Sequence, residues 1–318
     1  MSTMRIVHLS DFHYDRSPAL RAALAQLIDA AAALKPDVVV VTGDLSANGR
    51  PDELADVAAE LRRLDPVPRL LIPGNRDLEP SAGPPGEART LPVDSDLDYF
   101  LAHEPALTLG FSEGSWDGDG AATPEDAWLA EFGDLDSSWS NDEVSIVGLG
   151  VSGRIRPESI ERAARRLRKA PRGTLRILAL HYGLLPVPGR KVRDGDLSNR
   201  AGDLLALLLD LGVGIALHGH VHRAHAWQIS DGRKSLVVAS AGALVNDARS
   251  DASFLEIVVE DGKLKIWRRS IAAGNPTLLF EGMTGILTAG AASTVAETAG
   301  STSVAASGGT DPGAERRP

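Results

Sequence analysis

The sequence contains no cysteine. That excludes disulfides and thiolate ligands, so any metal site must be built from nitrogen and oxygen donors. It also lacks a long apolar run. No stretch approaches the roughly 20 residues that span a bilayer, and no basic segment followed by a long apolar one precedes the first strand. A cytoplasmic protein without a membrane partner is the expectation. Positive charge is in deficit: 33 Lys and Arg against 43 Asp and Glu give a net charge of −10. A broad electrostatic grip on nucleic acid is therefore not expected. An anionic substrate stays open, because bound cations reverse the local sign. No internal repeat is present, and nothing in the sequence sets an oligomeric state.

What is present is 318 residues, 43% of them hydrophobic, enough for one large α/β domain or two small ones. Arg5–Leu9 reads as a first strand. A helix opened by Ser17-Pro18 follows, through about Leu34. Val38–Val41, four β-branched residues in a row, reads as a buried parallel strand. Pro51–Leu64 is a second helix and Arg69–Ile72 a third strand. This rhythm implies a parallel sheet with helices on its faces. From Leu78 to about Glu143 it breaks into a Gly-, Pro- and acid-rich stretch that reads as an insertion or lid. It resumes with strands at Val144–Leu149 and Leu175–Leu180, around a basic amphipathic helix from Arg156 to Lys169. A helix over Ala201–Leu211 leads into an apolar strand ending at Leu217-His218. Beyond it, Ala226–Ile229, Leu236–Ser240, Phe254–Glu260 and Leu264–Ser270 read as consecutive strands, with Asp231-Gly232 and Asp261-Gly262 as hairpin turns. These suggest an antiparallel sheet joined to the parallel core. Residues 1–286 are expected to form the domain. From about Leu287 the chain has almost no bulky residues and reads as a dispensable, disordered tail over 287–318.

The strand ends carry the chemistry. In open α/β sheets, ligands bind beyond the carboxyl ends of the strands. Here those ends finish in Asp11 and His13, in Asp44, in Asn75, in His181, and in His220 and His222. Seven nitrogen and oxygen donors exceed what one divalent ion needs and suggest two ions sharing a carboxylate. His8, His218, His225 and His103 read as packing, supporting or surface residues.

Asp11-x-His13, Gly43-Asp44, Gly74-Asn75-x-Asp77, His181 and Gly219-His220-Val221-His222 together resemble the calcineurin-like metallophosphoesterases. The likeness runs from about Arg5 to His222. It implies a four-layer αββα fold, a β-sandwich flanked by helices, with a dimetal site at the strand ends. It assigns Asp11, His13 and His222 to one ion, Asn75, His181 and His220 to the other, and Asp44 to both. The ions implied are divalent Mn, Fe or Zn, with Mn first. The implied activity is that of a phosphohydrolase, a phosphodiesterase or phosphomonoesterase acting on a small phosphorylated substrate, with a hydroxide held between the metals as nucleophile. A nucleotide-linked pyrophosphate hydrolase is the alternative among enzymes. The sequence departs from the pattern at Arg76, where the family usually has a histidine that protonates the leaving group. Guanidinium cannot act as a general acid, yet it can clamp a phosphate. A metal-binding scaffold with impaired catalysis is therefore the rival reading. Arg76 and Asp77 are the candidate catalytic residues beyond the ligands, and Arg76 and Asn48 the candidate substrate contacts.

Overall fold

Strand β2, Val38–Thr42, is buried at every position and shows how the layers are built. Successive side chains of a strand point to opposite faces. Val38 and Val40 join the apolar core between two sheets, while Val39 and Val41 join a second core under helices. The computed structural model of the chain describes residues 3–79, 123–150, 155–187, 192, 195–231, 234–244, 252–271 and 274–283. All fall within one compact unit, Met1–Ile286.

The first sheet begins with β1 (Thr3–Leu9), β2 and β3 (Arg69–Ile72), all parallel, with Ile6 opposite Val38 and Thr42 opposite Ile72. Helix α1 (Pro18–Ala33) connects β1 to β2. The Ser17 side chain caps it by accepting from the Leu20 amide, and Pro18 occupies its first turn. Helix α2 (Pro51–Leu61) connects β2 to β3, with Asp52 and Glu53 at its positive end. The short helix α3 (Asn75–Leu78) follows β3.

The second sheet begins with β4 (Ser137–Ser140), β5 (Val144–Leu149), β6 (Leu175–Leu180) and β7 (Ile215–His218). Helices α5 (Pro157–Arg168) and α6 (Ala201–Asp210) cover its outer face through Leu167, Leu204 and Leu208. The remaining strands are β8 (His225–Ser230), β9 (Ser235–Ser240), β10 (Ser253–Glu260), β11 (Lys263–Ser270) and β12 (Thr277–Met283). The sheets have the orders β12-β11-β10-β1-β2-β3 and β4-β5-β6-β7-β9-β8. Two mixed sheets face each other across one apolar core, with helices outside. No helix among the described residues is long and apolar enough to cross a membrane.

Three expectations change. The C-terminal strands do not form one antiparallel sheet joined to the parallel core; they divide between the two sheets. β9 lies parallel beside β7 and carries β8 with it, while β10 pairs antiparallel with β1, Ile257 opposite Ile6. Period-two patterning marks a strand but does not say which sheet it joins. The donors consequently come from the ends of two sheets, not from one edge of a single sheet. Part of the 78–143 stretch is also built into the fold. Helix α4 (Pro124–Phe132), with Thr123 and Asp126 in a capping box, buries Trp128 in the core beneath α1 and α2, and β4 edges the second sheet. Residues 80–122, His103 and the tail lie outside the described residues.

Candidate metal centre

The ends of β1, β2 and β3 in one sheet meet the ends of β6 and β7 in the other. Backbone bonds tie the loops together before any side chain is considered. Asp11 N–H donates to the Gly43 carbonyl (2.9 Å), His13 N–H to the Asp44 carbonyl (3.0 Å), and Gly219 N–H to the His181 carbonyl (3.1 Å). Two glycines permit this closeness. A Cβ at Gly74 would lie 2.3 Å from Asp44 Oδ1, and one at Gly219 would lie 1.9 Å from Ser10 Oγ and 2.4 Å from Asp11 Oδ2.

Five of the seven donor residues have a positive φ: Asp11 (56°), His13 (46°), Asp44 (52°), His220 (68°) and His222 (54°). Non-glycine residues held there cost about 1–3 kcal/mol each, and such strain collects at functional sites. Here it turns each side chain off its strand and into the space between the sheet ends.

Asp11, His13, Asp44 and His222 bring donor atoms within 4.8 Å of one another, as do Asp44, His181 and His220. Asn75 joins the second group, with Oδ1 3.1 Å from His181 Nε2. Asp44 belongs to both: Oδ1 lies 3.4 Å from His181 Nε2 and Oδ2 3.7 Å from His13 Nε2. Its Oδ1 also accepts from the Arg76 backbone amide (2.8 Å). Asp11 Oδ1 is 3.4 Å from His222 Nε2, and both its oxygens accept from the His220 backbone amide. The seven ligand candidates are thus brought together in two adjoining groups that share one carboxylate.

The electrostatics call for cations there. His181 Nδ1–H donates to the Thr42 carbonyl (2.7 Å), so its Nε2 faces the oxygens of Asp44 and Asn75. Without a proton or a metal ion on Nε2, that is a lone pair against lone pairs. Burial alone would lower the pKa of His181, but Asp44 and Asp11 outweigh it and raise it to about 9. Burial likewise works to raise the carboxylates, yet the histidines hold both down: Asp44 lies at about 2, and Asp11 is depressed chiefly through His222. His13 and His220 are pushed down by burial to about 4, into the neutral form that ligates. These residues fit two oxygen- and nitrogen-liganded divalent ions.

The other candidates fall differently. Arg76 is exposed and has no ion-pair partner among the described residues. Its backbone amide bonds Asp44 Oδ1 and its side chain is exposed, so it stands on the solvent side of the cluster. Asp77 is fully buried. Its oxygens accept from the amides of Leu45, Ser46 and Gly74 and from Ser46 Oγ, at 2.9–3.2 Å. It pins the loops after β2 and β3 to each other, a positioning role instead of the catalytic one expected beside Arg76. Asn48 is engaged with α2: its side-chain amide donates to Glu53 Oε1 (2.8 Å) and its backbone amide to Oε2 (3.0 Å), which ties down the entry to that helix. His225 donates to the Arg223 carbonyl and stands outside both donor groups. Tyr182 escaped the sequence reading. Its ring centre lies 4.6 Å from that of His220 and 5.4 Å from that of His181, so it props both. Its place directly after His181 was the available signal.

The family described as calcineurin-like phosphoesterase matches residues 4–224. Among curated proteins none matches the chain. Solved structures do. A purple acid phosphatase from yellow lupin, Lupinus luteus, superposes with a TM-score of 0.58 at 17% identity, over 88% of this chain and 53% of that one. The chain therefore spans about half the length of the lupin enzyme. A dimetal phosphatase from Danio rerio superposes with a TM-score of 0.57 at 12% identity, over 87% of this chain and 98% of that one. A Plasmodium protein described as the anchor in the inner membrane complex does so at 0.50 and 13%, over 90% and 89%. At these identities the likeness is one of fold; with the family match over more than half its length, the chain belongs to the calcineurin-like phosphoesterases.

Proposed function

We propose that this protein is a dimetal phosphohydrolase acting on a small phosphate ester, with phosphodiesters favoured over phosphomonoesters. One observation carries the reading: seven donors from two sheets converge in two groups, and Asp44 offers one oxygen to each. Asp11, His13, Asp44 and His222 would hold one ion, and Asp44, Asn75, His181 and His220 the other. Bound there, divalent ions supply an activated water as nucleophile and positive charge for the phosphoryl oxygens. Nitrogen and oxygen donors suit Mn, Fe and Zn, and Mn is the first to test.

The chain's own residues supply the rest. Asp77 and the two glycines hold the strand ends at contact distance, which keeps the donors in register. Arg76 clamps phosphate oxygens at the mouth of the site. It gives no proton, so the leaving group takes one from water or departs as an anion. The diester preference is an argument by analogy: a net charge of −10 does not suit the broad basic grip that a nuclease would use.

A second reading rests on Arg76 and on the Plasmodium anchor, a protein of the same fold. In that reading the chain is a metal-bearing scaffold. One experiment separates the two. The Mn-loaded protein is assayed on bis-p-nitrophenyl phosphate, p-nitrophenyl phosphate and a dinucleoside pyrophosphate, with Asp44→Ala as control. Turnover that vanishes in the control supports the hydrolase, and the preferred substrate sorts diester, monoester and pyrophosphate. Two bound ions with no turnover of any substrate would favour the scaffold.

A further inference from the structure

Behind the donor cluster, a polar chain runs into the apolar space between the sheets. His8 lies on the same face of β1 as Met4 and Ile6 and is fully buried. Its Nε2 is 2.9 Å from Thr42 Oγ1. Thr42 Oγ1–H donates to Ser10 Oγ (2.9 Å), and Ser10 Oγ–H donates to the Thr42 carbonyl (3.1 Å). The same carbonyl accepts His181 Nδ1–H at 2.7 Å. Each hydroxyl has one proton, and both are used within the Ser10–Thr42 pair. With the Thr42 proton on Ser10 Oγ, His8 donates from Nε2 to Thr42 Oγ1. Its Nδ1 is left as a buried lone pair, and no partner meets it among the described residues. A buried polar atom without a partner costs about 1–3 kcal/mol. Leucine or valine, which fill neighbouring inward positions, would avoid that cost. Burial lowers the His8 pKa to about 3, which agrees with a neutral ring held as a fixed donor.

We propose that His8 is a positioning residue for one of the two ions, acting through Thr42 on His181. The proposal rests on the two-ion reading above. His8 and Ser10 hold the Thr42 hydroxyl, Ser10 holds the Thr42 carbonyl, and that carbonyl sets the tautomer and ring orientation of His181. Such supporting bonds tune metal sites. The arrangement is one-sided. His181 belongs with Asn75, His220 and Asp44, whereas His13 and His222 make no bond to Thr42. Loss of His8 should thus loosen one ion and spare the other.

The test uses the full chain and manganese alone. Calorimetric titration gives the two Mn affinities, and electron paramagnetic resonance reports the coupled Mn pair. Three variants separate donor, hydroxyl and bulk: His8→Leu removes the donor, Thr42→Val removes the hydroxyl and keeps its shape, and His8→Gln keeps an N–H where Nε2 was. The expected result is a loss of about 10–100-fold in one affinity for His8→Leu and Thr42→Val, with the coupled signal diminished, and recovery in His8→Gln. In a His220→Ala background, where only the other position binds, adding His8→Leu should change nothing further. Unchanged affinities in folded His8→Leu would overturn the proposal. So would equal weakening of both ions, or a His8→Gln protein no better than His8→Leu. Should His8→Leu fail to fold, Thr42→Val and His8→Gln decide by the same criteria. If the unsubstituted protein binds fewer than two ions, the two-ion reading itself falls, a result visible before any variant is made.

Discussion

His13 Nε2 and His222 Nε2 stand 2.9 Å apart although 209 residues separate them in the chain. Each is also within 3.8 Å of Asp11 Oδ1. Two imidazole nitrogens and a carboxylate oxygen so close need a positive charge among them. A proton can serve, and a metal ion serves better because it accepts all three lone pairs at once.

Asp44 should be the residue on which both ions depend. Asp44→Ala removes an oxygen from each group, so metal content should fall from two ions to one or none, and hydrolysis to background. Elemental analysis of the dialysed protein checks this. A variant that keeps two ions and full turnover would show that Asp44 does not bridge.

Metal uptake should release protons. In the metal-free protein the raised pKa of His181, about 9, leaves it protonated at neutral pH. An ion on Nε2 must displace that proton. Titration in buffers of different ionisation enthalpy should give net release at pH 7. The sign for stability follows from the same shift. A base whose folded pKa is raised stabilises fully below its unfolded pKa of about 6.5 and loses that contribution as pH rises through about 9. Chelator-treated protein should lose unfolding midpoint across this window, and metal-loaded protein should not.

Asp77 should prove to be a structural clamp. In Asp77→Asn, an NH₂ group replaces an oxygen that accepts from backbone amides, so two hydrogen bonds are lost and donors face donors. A cost on the order of 3 kcal/mol is expected. Urea unfolding measures it, and Mn affinity should fall with it because the loops after β2 and β3 separate. Unchanged stability with a lowered kcat would restore a catalytic role.

Arg76 should act on every substrate through charge alone. Arg76→Ala should lower kcat/KM across a series of aryl and alkyl esters. Arg76→His should recover activity only on esters with poor leaving groups, where general-acid help is worth about 10²–10⁴-fold. A flat response to Arg76→Ala would mean that the side chain does not reach the substrate. Absence of a leaving-group trend in Arg76→His would place the proton donor elsewhere.

By itself, the sequence named the seven candidate donors and placed them at strand ends. Asp11, His13, Asp44, Asn75, His181, His220 and His222 each follow a short apolar run that reads as a strand, and strand-forming patterns and donor types are local properties of the chain. It also determined most helices, because caps such as Ser17 and helix-opening prolines at positions 18, 51 and 157 act within a turn. The tertiary structure decided the rest. It assigned β8 and β9 to one sheet and β10 to β12 to the other, since pairing depends on partners distant in the chain. The polar edge strand β4 and the half-exposed β12 carry too little apolar pattern to announce themselves. Only the fold turned five donors into left-handed conformations, because that strain persists where surrounding packing enforces it. Only the fold gave Asp77 to three backbone amides, Asn48 to Glu53, and the Thr42 carbonyl to His181. Those are contacts with backbone groups and neighbours across the fold, and a backbone carbonyl looks the same in every residue until the chain is folded around it.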